Sequence, residues 1–414
     1  MYPSPPGQVQ FLEEGDRPEQ MWVLMAVRKM PKSASYQEWV QNTSRLTEIN
    51  DILRTSWLRT SEAQWVGVVI KHAGLDVPII PCDSEEKQSE IIEEFWNERF
   101  QFGKPFIKYA ILLHSDDSWD VAIKMNHAAY DGTLLRTFDD HFAAIRQGTQ
   151  IPSHGEFKDF ANFIFQSDKD ASLRFWAETM KDKHYTWPQA ESPKITAAVR
   201  EIIPRNLESV ARAQGVTVPI LFQAAFQLWL CRASDQNDVS FDYLLSGRNV
   251  DMADVDPQTI NGTLANFLPV RAQIDPQRAL GDYLESVQDI FWGITEHGDV
   301  GLHEIFHAAG LSRTTASNRC LFLYQPFEPA SSSEESESDR WLVMAKSKVR
   351  MYQPYALVVE VAKALNNRNR LTVMYDADVF NEDGAQQIAS EIAALVDQIA
   401  DLCGQNVSLQ QLLH

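Results

Sequence analysis

"IKMNHAAYDGTLLRTFDDHF", residues 123–142, changes periodicity in mid-stretch. Up to Met125 it alternates: Val121, Ile123 and Met125 share one face of a strand, and His127 keeps the same parity, on the face away from Lys124 and Asn126. From Thr133 onward the apolar residues Leu134, Leu135, Phe138, Phe142 and Ile145 recur at helical spacing. Asp131 and Gly132 therefore fall in a strand-to-helix turn, with the orphan amides and positive dipole of a helix N-terminus just behind them.

Two readings follow from that geometry. An imidazole at a strand end, beside helix-terminal amides, suits a base next to a developing oxyanion, as acyl transfer to an amine or hydroxyl requires. Asp131 would then meet a cation from elsewhere and fix the loop, and Gly132 would leave its amide unobstructed. In the plainer reading, His127 is a core histidine with one backbone hydrogen bond, and Asp131 only caps the helix.

Outward from this stretch the α/β character continues. "MWVLMAVRK" and "WDVAIKMN" read as strands, and "SYQEWVQNTSRLTEINDILRTSW", "EEKQSEIIEEFWNERF" and "TLLRTFDDHFAAIRQG" as helices. Around residues 184–198 periodicity is lost and two prolines gather, which places a lobe boundary there and gives lobes of 1–184 and 185–414. The second lobe has helices at "PRNLESVARAQG", "TVPILFQAAFQLWLCRAS", "LGDYLESVQDIFWGITEHG" and "NEDGAQQIASEIAALVDQIADLCG". Its strands are "VSFDYLLSG", "RCLFLYQPF", "LVVEVAKAL" and "RLTVMYDAD". Tyr283, Val287 and Phe291 read as core, and the acidic serine run 331–339 as a solvated loop.

Composition restricts the partners. The 414 residues are 44% hydrophobic, enough for a large core in more than one lobe, and 37 basic against 57 acidic residues give a net charge of −20. Such a charge repels phosphate backbones and anionic lipid, so neither nucleic acid nor a membrane is expected as a partner. Cys82, Cys231, Cys320 and Cys403 stand far apart, without the spacing of a zinc knuckle or redox dithiol. With no signal-peptide pattern in "MYPSPPGQVQFLEEGDRPEQ", a cytoplasmic, monomeric domain is expected.

A competing motif lies at 301–313, "GLHEIFHAAGLSR". His303 and His307 stand one helical turn apart with Glu304 between them, the pattern of zinc metallopeptidases. The position of a third histidine is occupied by Arg313, which cannot ligate zinc, leaving Glu328 or Glu334 as substitutes. A simpler account is a short helix packed through Ile305, Ala308, Ala309 and Leu311, with structural histidines and no metal; His141 is read as structural in the same way.

The segments as a set resemble the chloramphenicol-acetyltransferase-like superfamily, specifically the condensation domains of nonribosomal peptide synthetases. "HAAYDG" is similar to their His-x-x-x-Asp-Gly signature. "PPGQVQFLEEG", "NDILRTSW", "HGEFKDFANF", "INGTLANFLPVRAQI" and "YALVVEVAKALNNRNRLTVMYDADVF" follow in the family's order, so the likeness spans nearly the whole chain. Asn126 stands where the family usually has a first histidine. That substitution, with Tyr130 before the aspartate, resembles the terminal condensation-like domains of fungal synthetases, which release a peptide by cyclisation.

The resemblance implies two similar α/β lobes in a V-shaped pseudo-dimer around a central tunnel, with His127 as catalytic base or positioning group and the Gly132 amide on the oxyanion. It implies a structural salt bridge from Asp131 to Arg271, or alternatively to Arg54, and tunnel-lining roles for Asn126, Ser246, Asn266 and Tyr324. It implies no directly bound cofactor. Substrates would arrive on the 4'-phosphopantetheine of a carrier protein, with adjacent synthetase domains as further partners. The reaction implied is transfer of a peptidyl or acyl thioester to an amine, as a cyclising release; internal elongation or a free-standing acyltransferase are the alternatives.

Overall fold

In the computed structural model the described residues are all but 72–73, 184–186, 189, 254, 313–318, 327–339, 343–346, 365–367 and 414. The chain divides into two compact units. One comprises Met1–Ser167, Arg248–Ala265 and Ser331–Tyr352; the other comprises Asp168–Gly247, Asn266–Ala330 and Gln353–His414. The first break falls after Ser167, whereas loss of periodicity had suggested 184. The two later returns to the first unit leave no periodicity signal of their own. The acidic serine run and Arg313, Glu328 and Glu334 lie outside the described residues.

The first unit is built on a five-stranded sheet in the order Ser347–Arg350, Val23–Lys29, Trp119–Asn126, Ile107–Leu113, Ile79–Pro81, antiparallel except at the last pair. All eight residues of Trp119–Asn126 are buried, because both faces of this central strand are covered. On one face Trp39, from helix Tyr36–Ile49, packs against Tyr109 and Trp119 of the sheet and Phe142 of helix Gly132–Gln147. On the other face Ile91, Phe95 and Trp96 of helix Glu85–Asn97 pack on Val23, Met25, Ala110 and Ala122. Lys124 and Asn126 project to this second face and are as buried as their apolar neighbours, at 0% and 2% exposure.

The helix expected across 35–57 is shorter. It ends at Ile49, where Asn50 turns its side-chain amide back onto Leu46 O; a 3-10 turn at Asp51–Arg54 and a strand at Thr55–Arg59 follow. The asparagine cap and the Thr55–Ser56–Trp57 run favour strand over helix continuation.

The second unit has a six-stranded sheet ordered Asn266–Gln273, Asp238–Leu245, Cys320–Gln325, Leu357–Ala364, Arg368–Tyr375, Ala197–Ile203. Its core joins the sheet to helices Val218–Ser234, Leu280–Glu296 and Glu382–Leu402. Residues Ile220 to Cys231 are all buried, so the most apolar stretch of the sequence is a core helix. Among the described residues no helix is long and apolar enough to cross a membrane.

Candidate active site

The strand carrying the signature stops at Asn126, and His127–Ala129 form a 3-10 turn. The strand's alternation therefore ends one residue short of the histidine, whose direction is set by the turn. Asn126 caps that turn: its side-chain oxygen accepts from the Ala128 amide at 2.8 Å. The His127 amide donates to Trp22 O at 2.9 Å, which prolongs the Val23–Asn126 pairing by one step.

The imidazole sits in an aromatic cage. Phe11 stacks on it at 4.2 Å between centroids, Tyr130 lies tilted at 4.3 Å, and Trp22 meets it edge-on at 5.8 Å. Burial among these rings pushes its pKa down to about 4, against the pull of the Asp131 carboxylate in the opposite direction. The ring is thus neutral at physiological pH. Nδ1 is buried and makes no hydrogen bond among the described residues, while the side chain as a whole is only half-buried.

Helix Pro6–Gly15 supports the turn from behind. Its residues 8, 11 and 15, at helical spacing on one face, each meet the 126–129 turn. Gln8 Nε2 donates to Ala128 O at 3.0 Å, Phe11 stacks on His127, and Gly15 lies so close to Asn126 that a Cβ there would stand 2.3 Å from its Nδ2.

Asp131 does two things at once. One oxygen caps helix Gly132–Gln147 by accepting from the Leu134 amide at 2.8 Å. The other accepts from Arg248 Nε and Nη2 at 3.2 and 2.7 Å and from the Leu264 amide at 3.3 Å. Arg248 is 4% exposed, and its remaining donors reach Pro257 O, Ile260 O and Gly262 O. A buried ion pair offsets its desolvation only when such a full set of acceptors is present. The Gly132 amide, in the first turn of the helix, has no partner within the helix and lies at its positive end.

Neither arginine expected to hold Asp131 does so. Arg271 is bidentate on Asp238, Nε at 3.0 Å and Nη2 at 2.8 Å, and donates to Thr179 O and Lys181 O; it belongs to the second unit. Arg54 pairs locally with Asp51 and donates to Ile70 O at 2.8 Å. Each is already satisfied by its own neighbours, and the loop after Gly247 brings Arg248 instead. Arg248 left one signal in the sequence: an arginine directly behind the turn glycine Gly247, two residues past Ser246.

The structure gathers His127, Asn126, Asp131 and Gly132 in one turn, and the signature's neighbours Phe11, Trp22 and Arg248 join them. Ser246, Asn266 and Tyr324 belong to the second unit. Ser246 is exposed beyond strand Asp238–Leu245. Asn266 is buried, and its amide nitrogen donates to Gly298 O and Val300 O at 2.9 and 2.8 Å, so that group serves a loop. Tyr324 is partly buried, which pushes its phenol up to about 12.

The rival motif forms helix Leu302–Ala308, packed through Ile305 and Phe306, with His303 and His307 exposed. Glu304 accepts from the Gly301 amide at 2.9 Å, satisfying one orphan donor of the helix start, and approaches Lys169 at 3.5 Å. Among the described residues no three histidine, cysteine or acidic side chains cluster as a metal site would need.

Residues 1–414 match the Condensation domain family. Nonribosomal peptide synthetase sidE of Aspergillus fumigatus is 42% identical over 405 residues, covering 97% of this chain and 19% of that protein. Nonribosomal peptide synthetase 7 of the same fungus is 37% identical over 393 residues, covering 93% and 16%. The chain thus spans less than a fifth of the length of these relatives. The solved condensation domain from Monacolin K polyketide synthase MokA superposes with a TM-score of 0.74 at 14% identity, over 99% of this chain and 98% of that one. The crystal structure of holo T3CT gives 0.73 at 18% identity, over 97% and 91%; at such identities the likeness is one of fold. The chain belongs to the condensation-domain family of nonribosomal peptide synthetases, acyltransferases that form amide bonds.

Proposed function

We propose that this domain takes a peptidyl or acyl thioester from the phosphopantetheine arm of a carrier protein and transfers it to an amine of the same chain, releasing a ring. The observation that carries the chemistry is a caged, neutral imidazole at the mouth of a helix N-terminus. The amine nitrogen attacks the thioester carbon, a C–N bond forms, and the carbonyl oxygen becomes an oxyanion that accepts from the Gly132 amide. Neutral His127 accepts the N–H hydrogen bond, orients the lone pair and carries the proton to the departing thiolate as the C–S bond breaks. With a pKa near 4 it is a weak base, so orientation is the larger part of its role. Asp131 and Arg248 hold the turn and touch no reacting atom.

Release by cyclisation, instead of elongation onto a second carrier, is supported by Asn126 and Tyr130 within the signature. Asn126 is spent on capping the turn, leaving a single histidine for the chemistry. Reconstitution with carrier-bound peptidyl thioesters, separating cyclic, linear and hydrolysed products by mass spectrometry, tests this reading. A cyclic product supports it. Amide formation only with an amine on a second carrier would make the domain an elongating one, and acylation of an untethered alcohol by a soluble thioester would make it a free-standing acyltransferase.

A further inference from the structure

Gln20 and Trp22 are non-glycine residues with positive φ, 53° and 59°, a left-handed conformation in which side chains are uncommon. Two such residues flanking Met21 need something to hold them. The described contacts supply it: the Gln20 amide donates to Arg17 O, its carbonyl accepts from the Val23 amide, and the Trp22 amide donates to Tyr352 O at 2.8 Å. The Gln20 side chain, 2% exposed, completes the set. Its Nε2 donates to Trp96 O at 2.8 Å, and its Oε1 accepts from Lys124 Nζ at 2.9 Å. Lys124 is itself fully buried and also donates to Trp96 O and Glu98 O, at the C-terminal end of helix Glu85–Asn97.

This turn ends at the catalytic histidine. Trp22 O accepts the His127 amide, and the Trp22 indole stands edge-on to the imidazole and to Phe11. The backbone position of His127 and one wall of its cage are therefore both set by a residue in a left-handed conformation.

We infer that Gln20 is a positioning residue for acyl transfer: bridging Lys124 and Trp96, it holds the left-handed turn through Trp22 that fixes the backbone and aromatic cage of His127. The uncharged amide supplies at once the donor for Trp96 O and the acceptor for Lys124. The inference rests on the reading of His127 as the group that meets the attacking amine.

The test compares wild type, Gln20→Ala and Gln20→Glu, the last keeping the acceptor toward Lys124 and losing the donor toward Trp96. The His127 13Cε1 resonance, assigned by its absence in His127→Ala, is titrated by NMR; this readout needs no substrate. Among the described residues Asp131 and Tyr130 are the titratable groups facing the ring, and both are unchanged in these variants; the carboxylate that Gln20→Glu adds faces Lys124. Loosening the cage admits water, so the ring pKa is expected to rise by about one unit in Gln20→Ala and by less in Gln20→Glu. With a carrier-bound thioester turned over by wild type, kcat is expected to fall about tenfold in Gln20→Ala with KM within about twofold, and to recover partly in Gln20→Glu.

Superimposable titrations and equal kcat in all three proteins would overturn the inference, as would a rate loss that merely tracks the unfolded fraction. Should Gln20→Ala not fold, Gln20→Glu alone decides through the same two readouts. If His127→Ala turns over normally, the proposed function fails; if His127→Ala is inactive while the Gln20 variants match wild type, only this inference fails.

Discussion

Asp131 and Arg248, 117 residues apart in the chain, are joined by two hydrogen bonds to a single carboxylate oxygen, whose twin caps the helix behind the His127 turn. Removing either partner strands a buried charge. Asp131→Ala and Arg248→Ala are each expected to lower stability by about 3–5 kcal/mol, and the double variant by much less than the sum. Urea unfolding of the three proteins measures this. Additive losses would mean that the pair is not coupled.

Gly15→Ala is expected to cost about 1–3 kcal/mol, because the new Cβ would stand 2.3 Å from Asn126 Nδ2 inside a packed site. Since Asn126 caps the His127 turn, the rate should fall more than the stability loss explains. Turnover at a temperature where the variant is fully folded, judged by circular dichroism, separates the two.

Histidines whose pKa values burial lowers set an acid limit. His127 and His141 both have pKa values pushed down to about 4 by burial. Between that value and about 6.5 the unfolded chain binds protons that the folded one does not, so stability falls as pH drops through this window. Asp139, pushed up to about 6 by burial, opposes the trend in the same range. Asn50 Oδ1, 3.1 Å from His141 Nδ1, can only accept, so that nitrogen carries the hydrogen in the folded state. In His141→Asn the fall in melting temperature from pH 6.5 to 4.5 should be shallower than in wild type. An unchanged slope would contradict the assignment.

The 303–307 motif should be dispensable. His303→Ala and His307→Ala, both exposed, are expected to change stability by no more than about 0.5 kcal/mol and to leave acyl transfer intact, as should 1,10-phenanthroline treatment. A chelator-sensitive rate would contradict this.

How much of this could be read from residues alone depended on distance along the chain. The strand, turn and helix around His127 were legible because they are local: alternation to Met125 and helical spacing from Leu134 leave Asp131 and Gly132 only a turn to occupy. The six-stranded sheet was legible in four of its strands. Its strands at 238–245, 320–325, 357–364 and 368–375 carry apolar alternation or runs, whereas Ala197–Ile203 is a half-exposed edge and Asn266–Gln273 opens after a glycine-bearing loop. Arg248 was missed because any arginine near a turn looks alike until the fold shows which one is buried. The cage was missed because Phe11 and Trp22 reach His127 from other elements. Gln8, Phe11 and Gly15 at i, i+3 and i+7 did carry a helical signal, but not what that face would meet.

Replacement of His127 by alanine is the most direct measurement of its role. With a carrier-bound peptidyl thioester, His127→Ala is expected to lose turnover by at least about 100-fold while its circular dichroism and melting temperature stay near wild type. Near-normal turnover in a folded His127→Ala protein would contradict the account.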